Sequence, residues 1–183
     1  MLFRSSGTKN DSSTGSHTVS ESPDSKYTGV ITGDCGSDGS ISLVAGDDKS
    51  CTITNTFKKP KLTVTKVVVN DGGGTKAVSD FTLFIDSGSV TSGTKNDSST
   101  GSHTVSENPD SKYTGVITGD CGSDGSITLA AGDDKSCTIT NTFKKPKLTV
   151  TKVVVNDGGG TKAVSDFTLF IDSGSVTSGT KND

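Results

Sequence analysis

Residues 61–70, KLTVTKVVVN, place Leu62, Val64, Lys66 and Val68 on one side and Thr63 and Thr65 on the other. Successive side chains of a strand leave from opposite faces, so this is the pattern of a β-strand with one buried face. Further strand-like runs follow at 81–86 (FTLFID), 103–107 (HTVSE), 113–118 (YTGVIT), 127–130 (ITLA) and 137–143 (CTITNTF). Turn-forming runs rich in Gly, Asn, Asp, Ser and Pro separate them at 71–74, 96–99, 108–110, 122–125 and 132–134, with Gly88 and Gly93 between. Six or seven short strands without a helical period predict an all-β fold, an antiparallel β-sandwich.

The same stretch returns at 147–156, and the repetition extends along the whole chain. GTKND stands at 7–11, 93–97 and 179–183, an interval of 86 residues. Residues 8–60 match 94–146 except at Ser22/Asn108, Ser42/Thr128 and Val44/Ala130, and residues 61–97 match 147–183 without a change. Tandem modules in a fibre are the expectation, because a fibre gains reach from every copy whereas an active site needs only one. The module boundaries fall at the Lys-Lys-Pro-Lys segments 58–61 and 144–147, read as linkers because proline interrupts a sheet ladder. Residues 61–146 then form one full sandwich. Residues 1–60 lack the first two strands, and 147–183 are those two strands alone.

Three strands carry a polar residue on the face that should be buried. Lys66 lies with Leu62 and Val64, Glu107 with Val105, and Asn141 with Cys137, Ile139 and Phe143. An unpaired buried charge is expensive, so the three require a common explanation. The motifs LTVTK (62–66), HTVSENPDSKY (103–113) and TITNT (138–142) resemble the Cna-type B, or SpaA-like, repeat domains of microbial surface proteins and pilins, which have a transthyretin-like (prealbumin-like) fold. The resemblance spans the 86-residue period. It implies an Ig-like sandwich and a spontaneous Lys–Asn isopeptide, with Lys66 as nucleophile, Glu107 as proton shuttle and Asn141 as electrophile. In the flanking copies the corresponding residues are Lys152, Glu21 and Asn55. The plainer alternatives are a buried Lys66–Glu107 ion pair with Asn141 capping nearby backbone, or a Lys66 that snorkels to solvent.

The remaining composition narrows the function. Apolar residues make up 28% of the chain and there is no Trp, so each module has a thin core that needs a staple. The cysteines pair most simply within each copy, Cys35 with Cys51 and Cys121 with Cys137, which points to a compartment outside a reducing cytosol. No Cys/His cluster has metal-ligand spacing, and the acidic turns around Asp120, Asp124, Asp133 and Asp134 match no calcium loop, so no metal or cofactor is expected. The run at 71–76 lacks the order of a phosphate-binding loop and is read as a hairpin turn, and His17 and His103 are read as surface residues. Asn10 and Asn96 begin N-glycosylation sequons. The net charge of −3, from 18 basic and 21 acidic residues interspersed, offers nucleic acid no basic patch, and no apolar run reaches membrane-spanning length.

These features predict a structural subunit of an extracellular, cell-surface filament rather than an enzyme. It partners copies of itself, either as a long tandem array or by donation of 147–183 to the 1–60 region of a neighbour. The alternative is the binding module of an adhesin for a glycan or host protein.

Overall fold

The computed structural model describes Gly7 and residues 12–182, so the expected acceptor Asn10 lies outside the described residues. Sixteen strands and two single-turn 3-10 segments (Val78–Asp80 and Val164–Asp166) account for the regular structure of this part. The chain divides into two compact units: Met1–Lys61 with Asp97–Gly101 and Leu129–Asp134, and Leu62–Asn96 with Ser102–Thr128 and Lys135–Asp183.

The first unit holds β1 (Gly15–Thr18), β2 (Tyr27–Gly33), β3 (Ser40–Leu43) and β4 (Cys51–Phe57). They form two separate antiparallel pairs, β1 with β3 and β2 with β4. Residues 58–61, expected to be a linker, are bonded at each end. Lys58 donates its backbone N–H to Lys26 (2.9 Å) and accepts from Gly132 (2.8 Å). The Pro60 carbonyl accepts from Ser98 at 3.0 Å, and Lys61 donates to the Asp133 carbonyl at 2.7 Å. Pro60 is buried, and the Lys61 ammonium pairs with Asp97. Proline has no N–H to leave unsatisfied, so it can be buried here through its carbonyl alone.

Residues 61–143 build the sandwich. One sheet runs in the order β10 (Tyr113–Gly119), β12 (Asp134–Phe143), β5 (Lys61–Val69), β8 (Lys95–Asp97). The other runs β11 (Ser126–Leu129), β9 (Gly101–Glu107), β6 (Leu83–Ile85), β7 (Gly88–Val90). The first and last long strands, β5 and β12, are therefore hydrogen-bonded neighbours. Leu62 and Val64 of β5, Leu83 of β6, Val105 of β9, Ile127 of β11 and Cys137 and Ile139 of β12 are buried, as alternation requires. Gly88, Asn96 and Asp97, expected in turns, lie instead in β7 and β8. Both are three-residue edge strands, where weak strand formers are tolerated because only one side is paired. Asn96 is partly buried, and its amide donates to the Thr94 carbonyl at 2.8 Å.

The last segment repeats the start of the sandwich without its remainder. β13 (Leu148–Thr149) pairs with β16 (Lys181–Asn182), and β14 (Leu169–Ile171) pairs with β15 (Gly174–Val176), each as a two-stranded sheet. Val153, Val155 and Phe170 of this segment are exposed.

Candidate functional site

The alternation of β5 carries Lys66 inward with Leu62 and Val64, and its side chain has 0% exposure. Its Nζ lies 2.8 Å from Oε2 of Glu107 on β9, whose side chain is 12% exposed. Asn141 projects from β12 into the same region and is also buried. The three residues singled out by strand register thus belong to one interior cluster. Lys66 does not snorkel outward.

Each neighbour has a physical task. The Phe81 ring centroid is 4.6 Å from the ammonium, a cation–π contact that partly offsets lost hydration. The ammonium also reaches the Ile139 carbonyl at 3.3 Å, and the Lys66 backbone N–H donates to Ser92 Oγ at 2.8 Å. Tyr113 packs edge-on against Phe81 and Phe143, with centroids 5.5 and 5.4 Å away. Its hydroxyl donates to Asn70 Oδ1 at 2.7 Å and accepts from the Lys76 backbone at 3.1 Å. Burial pushes the Lys66 pKa below its ordinary value, while the hydrogen bond and charge of Glu107 act against that shift. A lysine held this way is closer to the neutral, nucleophilic amine than a surface lysine is.

The Asn141 Oδ1 atom is buried without a hydrogen-bond partner among the described residues. Such an orphan acceptor costs free energy, and it rules out the backbone-capping role for that oxygen. Opposite Asn141 in the β10–β12 register stands Gly115, where a Cβ would lie 2.9 Å from Asn141 Oδ1 and 3.1 Å from Glu107 Oε1. A cleft of about 350 Å³ reaches Glu107, Gly115 and Asn141, with Asp110, Tyr113 and Asp124 also on its wall. Phe81, Tyr113 and Gly115 were not singled out by the sequence reading. The readable signal for Gly115 is a glycine in the middle of a strand, which marks a close approach to the backbone.

The flanking copies hold the cluster in two parts. In the first unit Asn55 donates its amide to Glu21 Oε2 at 2.7 Å, with Gly29 against both carboxylate and amide. In the second unit Lys152 stands 4.2 Å from the Phe167 ring centroid, and its backbone N–H donates to Ser178 Oγ at 2.9 Å. Both disulfides form, Cys35–Cys51 and Cys121–Cys137, each with Cα atoms 5.4 Å apart. The acidic turns cap themselves. Asp124 accepts from the Ser126 backbone and hydroxyl, Asp133 from Ala130, and Asp120 from Ser136. His103 bonds Asp86 across the sheet, which its expected surface role did not foresee.

Residues 58–139 match the family model of a prealbumin-like fold domain of the SpaA type. Among solved structures, the major pilin protein T-13 of Streptococcus pyogenes matches at 16% identity, over 74% of this chain and 64% of that one. Its TM-score is 0.29, a likeness too loose to carry function across, and the chain spans less than two thirds of that pilin's length. No curated protein matches the chain.

Proposed function

Residues 58–139 are a prealbumin-like domain of the SpaA type, and from that premise we propose that the chain is a structural subunit of an extracellular, cell-surface filament. The observation that carries this reading is the exposure of Leu148 and Phe167, whose identical counterparts Leu62 and Phe81 are buried in the sandwich. Burying them takes the strands that 12–57 possess and 148–182 lack. A neighbouring copy supplies those strands, as a second chain or as the next repeat of a longer array. The contact is head to tail and does not close on itself, so it propagates.

The interior cluster adds a covalent tie. Lys66 Nζ attacks the Asn141 side-chain carbonyl carbon, forming an amide N–C bond as the bond to the side-chain nitrogen breaks. Glu107 takes the amine proton and delivers it to the departing nitrogen, which leaves as ammonia. The product amide removes a charge from the core and joins the first and last strands, the two through which tension enters and leaves. At a joint between copies, Lys152 of one meets Glu21 and Asn55 of the next, and the same reaction links subunits. It is a single-turnover self-modification.

Intact mass under denaturing, non-reducing conditions tests the covalent part. Each amide lowers the mass by about 17 Da, the ammonia lost in acyl transfer to the amine. Peptide mapping should find 66 joined to 141. Boiling in SDS with reductant should leave ladders above the monomer if 152 joins 55 of a neighbour. The assembly part is tested by sedimentation across concentration, where a chain that stays monomeric throughout sinks it.

A further inference from the structure

In the sandwich, the turn between β6 and β7 grips the edge of β9 through a single residue. Asp86 donates its backbone N–H to the Thr104 carbonyl at 2.7 Å, and its Oδ1 accepts from the Thr104 backbone at 2.9 Å. Its other oxygen, Oδ2, lies 2.8 Å from His103 Nδ1. Three contacts from one side chain and its own backbone therefore fix the β6–β7 hairpin against the 103–104 edge. Asp86 does this from the left-handed region, at φ 54°.

Both halves of this grip recur separately. Asp172, the identical residue of the β14–β15 turn, is already at φ 51° without a β9 beside it. A non-glycine residue seldom sits there, so the turn is set by its own sequence and needs no rearrangement on docking. The counterparts of His103 and Thr104 are His17 and Thr18 on β1. His17 Nε2 lies 2.7 Å from the Ser13 carbonyl oxygen.

We propose that Asp172 is the docking pin of the subunit joint, recognised by His17 and Thr18 of a second copy. The inference rests on the strand-donation reading and names the residues that set its register. A carboxylate that must meet one backbone N–H and one imidazole at once fits a single alignment of β14 on β1. A slip by one residue would turn the hairpin's apolar face to solvent.

The full chain serves as its own test, with self-association followed by sedimentation. Asp172→Ala and His17→Ala should each weaken association about tenfold or more. Mixed one to one, they should form dimers through the one intact joint (Asp172 of the second variant on His17 of the first) but no longer filaments. His17→Gln should associate more tightly than His17→Ala, because an amide can also donate a hydrogen bond to the carboxylate. Val150→Asp is the control for the underlying reading, since its twin Val64 is fully buried. Association lost in Val150→Asp but unchanged in Asp172→Ala overturns the pin alone. A wild-type chain that never associates overturns the strand donation and the pin with it. His17→Gln no tighter than His17→Ala overturns the side-chain hydrogen bond of the pin.

Discussion

Leu62 has 0% exposure and its twin Leu148 has 55%; Tyr113 has 5% and its twin Tyr27 has 40%. Each pair has identical sequence around it, so propensity cannot be the cause. Features set within a strand or a turn do not change between the copies. The cation–π contact, the left-handed aspartate, the disulfide and the paired register of the two long strands YTGVITG and CTITNTF appear in both. The enclosure of Leu62, Val64 and Lys66 needs the complete set of strands and is found in the 61–143 sandwich. Local sequence therefore prepares each half-site, and closure of the sandwich supplies burial, at about 2 kcal/mol for each large apolar side chain covered. Lys66 differs from Lys152 in the same way: its chemistry comes from the enclosure.

The largest expected effect separates those two lysines. Lys66→Ala leaves Glu107 in a buried site without its cation and should cost the 61–146 module about 3–5 kcal/mol. It should also abolish the mass loss there. Lys152→Ala in the dilute monomer should change stability by no more than about 0.5 kcal/mol. Denaturant unfolding of the two variants measures both, and equal effects would break the comparison. Next in size is the staple. Replacing Cys121 and Cys137 by Ala should cost about 3 kcal/mol for a closed loop of this length. Limited reduction followed by alkylation should open Cys35–Cys51 first, since Cys51 is partly exposed while Cys137 is fully buried.

How far the sequence could be read follows the same division. Period-two alternation located β5, β9 and β12 and turned Lys66, Glu107 and Asn141 inward, because register is a local property. Lys66 and Asn141 proved buried, and Glu107 nearly so. Phe81, Tyr113 and Gly115 were not foreseen, because nothing local says which aromatic ring crosses to which sheet. The edge strands β7 and β8 escaped notice because their Gly, Asn and Asp residues read as turns, and pairing on one side alone overrode that preference. The buried Pro60 strap escaped for a similar reason. Gly115 offers a test of smaller magnitude. Gly115→Ala places a methyl 2.9 Å from Asn141 Oδ1 where the neighbours cannot retreat, for about 1–3 kcal/mol of overpacking. Gly29→Ala makes an equally close approach to Glu21 and Asn55, at 2.8 and 2.9 Å. Those side chains are exposed and can swing away, so the cost should stay within about 0.5 kcal/mol, and denaturant midpoints will rank the two.

The smallest expected effect is a slope against pH, visible only while Lys66 keeps its amine. Asn141→Ala removes the electrophile and leaves that amine free to titrate. Burial holds the folded-state pKa of Lys66 below the 10.5 of an ordinary lysine. Between the depressed value and 10.5 the unfolded chain therefore binds more protons than the folded one. Stability should rise with pH across that window, because there the folded state no longer carries a buried charge. Below the window both states are protonated and the desolvation penalty is present in full. Above it both are neutral and the penalty is gone. Adding Lys66→Met should flatten the slope, as measured by urea unfolding from neutral pH to about pH 10. A slope of the opposite sign in Asn141→Ala would mean that the pull of Glu107 on the proton outweighs desolvation. The enclosed lysine would then be an ion-pair partner at rest rather than a nucleophile in waiting.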